Sequence, residues 1–170
     1  MPRGTPTTEP ITRNKVQLEV ERHQVDTELP PVWVTYVAHR DVWILVADYQ
    51  VEIEWVDGLG QQCTADLLIP YGFEFDLASI PRPAWWLIAP FELSIIAPLV
   101  HDWLYVNNGD VNRRAKIGLR WINDFSLTRK QVDDVFLKLM EKEHITKWKR
   151  TLAYKAVRAF SWMFWDDNNH

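Results

Sequence analysis

The chain has 170 residues, 47% of them hydrophobic, and a net charge of −4. That is enough apolar material for one domain with a real core, and it excludes a chain disordered by composition. The acidic balance gives no reason to expect nucleic-acid binding, and the single cysteine, Cys63, excludes an internal disulfide and any multi-cysteine zinc site.

Residues 1–30 are polar and carry Pro2, Pro6, Pro10 and Pro30. They read as an extended N-terminal arm, either a loose terminus or a segment ordered by self-association or a partner. No apolar run follows Met1-Pro2-Arg3, so no secretory signal is expected, and no stretch has the roughly 18 to 20 apolar residues that span a bilayer. Residues 31–170 read as a single α+β domain, with a small antiparallel sheet in the N-terminal half packed against C-terminal helices.

Strands come first. Val32–Val37 and Val42–Val46 are rich in β-branched and aromatic residues. Val51, Ile53 and Trp55 alternate with Glu52 and Glu54, which gives a buried face and a wet face. Asp57-Gly58-Leu59-Gly60 supplies a turn, and Leu67-Leu68-Ile69 returns as the paired strand. Cys63 has no basic neighbour to activate it and reads as an ordinary strand cysteine; so few cysteines suit a reducing compartment. Residues 73–93 read as irregular, since Pro81, Pro83 and Pro90 prevent a long helix; Trp85 and Trp86 either lie over the core, the expectation, or form an exposed hydrophobic patch.

From Ser94, a possible cap, the pattern turns helical: Ile95, Leu99, Val100 and Leu104 form a stripe, and Asn108-Gly109 ends it. A charged helix is expected over Val111–Asp124. Thr128 and Gln131 fit a capping box, and the helix that follows turns Val132, Val135, Phe136, Leu139 and Met140 to one side. A last helix is expected from about Thr146 to Trp165. Its lysines, arginines and aromatics would suit a membrane surface, but packing of its apolar side on the sheet is the expectation.

The polar candidates lie within this frame. His101 and Tyr105 are four apart and share a helix face, while Asp102 points about 100° away. A His-Asp pair there suits a general base with an orienting or metal-binding neighbour; a core histidine bonded to a backbone carbonyl is the structural alternative. Asp76 stands in the apolar run Phe73–Pro81 and needs a partner: Arg82, a loop of N–H groups, a metal ion or His101. An Asx turn onto Ala78 and Ser79 would also satisfy it. On the helix after Thr128, Asp133 falls at the edge of the buried stripe, about 100° from Val132, while Asp134, at about 200°, faces water. Asp133 is thus placed to orient His101, unless it is an exposed acid favoured by the helix dipole.

Three segments together carry a resemblance: Gly72–Pro81, then His101-Asp102-Trp103-Leu104-Tyr105, then Arg129–Phe136 running on to Met140. Over roughly Val42 to Phe164 the chain resembles the domain-of-unknown-function family 1353 of tailed phages, prophages and bacteria. That family has an aspartate at the position of Asp133, and Asp110–Leu127 reads as an insertion into its pattern. The resemblance implies a phage or prophage origin and brings no established reaction. A looser likeness, in His-Asp-x-x-Tyr, is to phospholipases of the A2 type. On that likeness His101 would deprotonate water, Asp133 would orient it, and Asp102 would help hold calcium; Asp76, as an acid in need of a partner, is the other metal candidate. Paired cysteines and a glycine-rich calcium loop are lacking here. Two functions follow as expectations. The first is a virion- or tail-associated structural or accessory protein, in the virion or the host cytoplasm during assembly, meeting other phage structural proteins through residues 1–30. The second is a His/Asp hydrolase, phospholipase-like or directed at the cell wall, with His101, Asp133 and Tyr105 as catalytic residues.

Overall fold

The structure is a computed structural model, and it describes residues 20–23, 28–75, 95–111 and 113–160. The elements run β1 (Val20–His23), β2 (Val32–Val37), β3 (Val42–Leu45), β4 (Tyr49–Val56), β5 (Gln62–Ile69), β6 (Glu74–Phe75), α1 (Ile96–Val106), β7 (Ala115–Ile117), β8 (Arg120–Ile122), α2 (Arg129–Lys142) and α3 (Lys147–Phe160). The class is α+β, as expected. The described strands form two four-stranded antiparallel sheets, ordered β1-β2-β3-β6 and β4-β5-β7-β8.

The β4–β5 hairpin follows directly from the alternation in its sequence. Tyr49, Val51, Ile53 and Trp55 are buried, and the last three stand opposite Leu67, Ala65 and Cys63 on β5. A slip of one residue would turn every one of these side chains to water, so the pattern fixes the register. The Asp57 carboxylate accepts from the N–H groups of Leu59 and Gln61 and closes the turn. Cys63 is a buried strand cysteine.

Part of the expected arm is strand: Val20–His23 pair antiparallel with β2, and the Pro30 carbonyl accepts from the Tyr49 hydroxyl. Glu74–Phe75, expected to be irregular, pair with Trp43 and Ile44 of β3. Asp76, Arg82, Trp85, Trp86 and Ser94 lie outside the described residues.

The charged helix expected over Val111–Asp124 is instead the hairpin β7–β8. Gly118 sits at its turn with φ of 58°, a conformation no α-helix contains. Ile117, Trp121 and Ile122 suit strands, and β7 pairs with β5, which would otherwise present open ladder groups. The excursion is closed at its base. Leu127 donates to the Gly109 carbonyl at 2.8 Å, and Asp110 bridges to Ser126. Gly109 has φ of 78°, and a Cβ there would lie 2.0 Å from the Leu127 carbonyl oxygen, so only glycine fits.

The three described helices pack in chain order, α1 on α2 and α2 on α3. α1 is apolar along most of its length, with Ile96, Ala97, Leu99, Val100 and Leu104 buried against α2. α2 starts with the expected capping box of Thr128 and Gln131 and also packs on β4. α3 buries Ala153 and Val157, chiefly against α2 rather than on the sheet. Among the described residues no helix is long and apolar enough to cross a membrane.

Candidate functional site

Three helices converge on one carboxylate. The i, i+4 spacing of His101 and Tyr105 turns both rings from α1 toward α2, where Asp133 is fully buried. His101 Nε2 lies 3.0 Å from Asp133 Oδ1, and the Tyr105 hydroxyl donates to the same oxygen at 2.8 Å. Arg158 comes from α3 and donates to Oδ2 at 2.8 Å. The imidazole is tilted against the Tyr105 ring, with centroids 4.2 Å apart, and the Phe136 ring centroid lies 5.1 Å from it.

The electrostatics follow from this set. Burial works against ionisation of Asp133, but donors from His101, Arg158 and Tyr105 outweigh it and hold the carboxyl below its ordinary range. An ionised carboxylate only accepts, so His101 Nε2 carries the proton between them. Burial likewise opposes a charged His101. Asp102 and Asp133 outweigh that too, and the histidine pKa stands above 6.5.

The second ring nitrogen is in a different position. His101 Nδ1 lies 3.8 Å from Asp102 Oδ1, too far for a hydrogen bond but close enough to feel its charge. The side chain of Asp102 is 12% exposed and that of His101 only 4%. One nitrogen is therefore anchored, while the other has no described partner at hydrogen-bond distance.

The structure brings together His101, Tyr105 and Asp133 and sets Asp102 beside them. Asp134 stands apart, as expected, but it does not simply face water. It accepts from Lys130 and from Tyr154 of α3, both at 2.7 Å. Asp76 lies outside the described residues. Among the described residues no group of three or more His, Cys, Asp and Glu side chains is placed to hold a metal ion. Calcium takes six to eight oxygens, and Asp102 is the one candidate ligand described, so these residues alone do not fit it.

Two residues escaped the sequence reading. Arg158 is visible there only as one charge of a basic helix. Its signal was position: Tyr154 and Arg158 each follow a buried residue, Ala153 and Val157, which puts both at the rim of the packed face. Glu143, at the C-cap of α2, is 4% exposed and accepts from the backbone N–H groups of Ala97 and Ile96. It thereby caps α1, the helix of His101, whose own N-cap residue Ile95 has no side chain able to do so.

The family resemblance has a direct counterpart. Residues 58–157 match the model of DUF1353, described as a protein of unknown function. No curated protein and no solved structure matches the chain. The matched span holds His101, Asp102, Tyr105 and Asp133 and stops one residue short of Arg158. The chain belongs to the DUF1353 family.

Proposed function

We propose that this is an accessory protein of phage or prophage origin that acts as a hydrolase, with His101 as its general base. The observation that carries this reading is the asymmetry of the imidazole: Nε2 is tied to ionised Asp133, while Nδ1 has no described partner at hydrogen-bond distance. A base needs that arrangement, one nitrogen fixed to set the tautomer and one lone pair open to a reactant. Nδ1 would take a proton from water as the water oxygen bonds to the carbonyl carbon of an ester or amide. The imidazolium, stabilised by Asp133, would return that proton to the leaving group as its bond breaks. Tyr105 and Arg158 hold Asp133 in place without touching substrate. The phage origin rests on the family resemblance, and a lipid or cell-wall substrate on the loose phospholipase likeness. No step requires the calcium considered for Asp102 and Asp76.

A second reading is favoured by a specific observation. Asp133 takes three donors from two other helices and is fully buried, which is how a network that fixes helix packing is built. On that reading the protein is a virion or tail component. Asp133→Asn separates the two. It keeps the shape but loses the charge that sets the tautomer and stabilises the imidazolium. The hydrolase reading expects hydrolysis of a lipid-ester and cell-wall panel to fall by about 10² to 10⁴ while the protein stays folded. Wild-type protein with no activity on the panel, together with recovery of the chain from purified particles, supports the structural reading.

A further inference from the structure

α3 has a second face. Its fourteen residues hold Lys147, Lys149, Arg150, Lys155 and Arg158 and no acid, within a chain of net charge −4. The two arginines are engaged by the protein: Arg158 bonds Asp133, and Arg150 pairs with Glu141. The outward stripe is Lys147, Trp148, Thr151, Leu152 and Lys155, which line an open concavity of about 650 Å³. Trp148 is 57% exposed, and the Lys149 ammonium lies 5.6 Å from its ring centroid.

We propose that this stripe docks the protein on an anionic phospholipid surface. Charge complementarity selects an anionic partner. The residue types select a membrane over an acidic protein. Lysine ammoniums are hydrated point charges without the fork geometry that reads one carboxylate, and they are drawn to a diffuse layer of lipid phosphates. A tryptophan beside them has the amphipathic ring that settles at the headgroup level, and Leu152 adds apolar surface between the two outward lysines. The stripe is held rigid from behind, because Arg158 and Tyr154 pin the inner side of the helix to Asp133 and Asp134. The inference is independent of any chemistry at His101.

The test is co-sedimentation of the full chain with phosphatidylcholine vesicles, with and without phosphatidylglycerol. Binding is expected only to the mixed vesicles and is expected to weaken as salt rises. Lys147→Gln and Lys155→Gln should each reduce it about fivefold, and Trp148→Ala should reduce it further. All three positions are on the surface, and circular dichroism checks that the fold is kept. Equal binding to both vesicle types, no binding to either, or binding undiminished in the triple variant would overturn the proposal. Binding to poly-glutamate or DNA without binding to mixed vesicles would also overturn it and assign the stripe to an acidic polymer.

Discussion

The two ends of α2 each bury an acid, and the two acids behave in opposite ways. Asp133, in the second turn, is 0% exposed, and Glu143 at the C-cap is 4% exposed. Asp133 receives an imidazole, a phenol and a guanidinium, and its carboxyl is held below the ordinary range. Glu143 receives two backbone N–H groups, and its Oε2 has no hydrogen-bond partner among the described residues. Burial therefore dominates, and the Glu143 carboxyl is pushed up to about 8. Equal burial thus yields an anion at one end and a neutral acid at the other. What decides is the number and charge of the donors. The difference also divides the labour around α1: the anion fixes the imidazole of that helix, and the neutral acid caps its start.

Removing the carboxylate at the anionic end should give the largest effect. Asp133→Ala leaves Arg158 and His101 facing a buried void, and a loss of about 3–5 kcal/mol is expected by urea unfolding. Glu143→Gln at pH 6 replaces a neutral acid with a neutral amide of the same shape and should change stability by less than about 1 kcal/mol. If the two substitutions cost the same, the contrast between the acids is wrong.

The pH dependence sharpens the contrast. A Glu143 carboxyl raised from 4.5 to about 8 binds its proton more tightly when folded. Its contribution is fully present below pH 4.5 and drains away as pH rises toward about 8. His101 acts in the same direction, its contribution present below 6.5 and lost as pH rises through its higher folded pKa. Asp133 acts oppositely, stabilising above 3.8 and losing that contribution as pH falls through its lowered value. The Gln variant should therefore flatten the decline between pH 4.5 and 8, by a few kcal/mol on the order expected for such a shift. An unchanged profile in the variant would show that Glu143 is not the buried acid described.

Smaller changes probe the donors one at a time. Tyr105→Phe removes one neutral donor to a charged group and should cost about 1.5–3 kcal/mol in the same unfolding assay. Lys130→Ala breaks an exposed pair with Asp134 and should lie within about 0.5 kcal/mol of wild type.

The sequence revealed the elements whose period is long or whose turns are well marked. Four buried residues in alternation specify β4, and Thr128 with Gln131 specifies the start of α2. The angle put Asp133 at the edge of the buried stripe and Asp134 toward water, because a 100° step per residue is a strong constraint once a stripe is known; full burial of Asp133 and the two donors on Asp134 come from contacts across helices. The hairpin β7–β8 was not legible as strands. Its strands have three residues each, too few to show a period, and β7 is held by pairing with β5, a contact no local pattern reports. Gly118 was the missed signal. Arg158 and Glu143 were hidden for the same reason: each meets its partner across helices, 25 residues from Asp133 and some 46 from Ala97.

His101 is anchored through Nε2 to an ionised Asp133, while its Nδ1 has no described partner at hydrogen-bond distance. Nitrogen NMR of the His101 ring across a pH titration, in wild type and in Asp133→Asn, tests it directly. The expected result is a wild-type pKa above 6.5 that falls in the variant, with the proton on Nε2 in the neutral wild-type ring. A neutral ring protonated on Nδ1, or a titration that Asp133→Asn leaves unmoved, would contradict it.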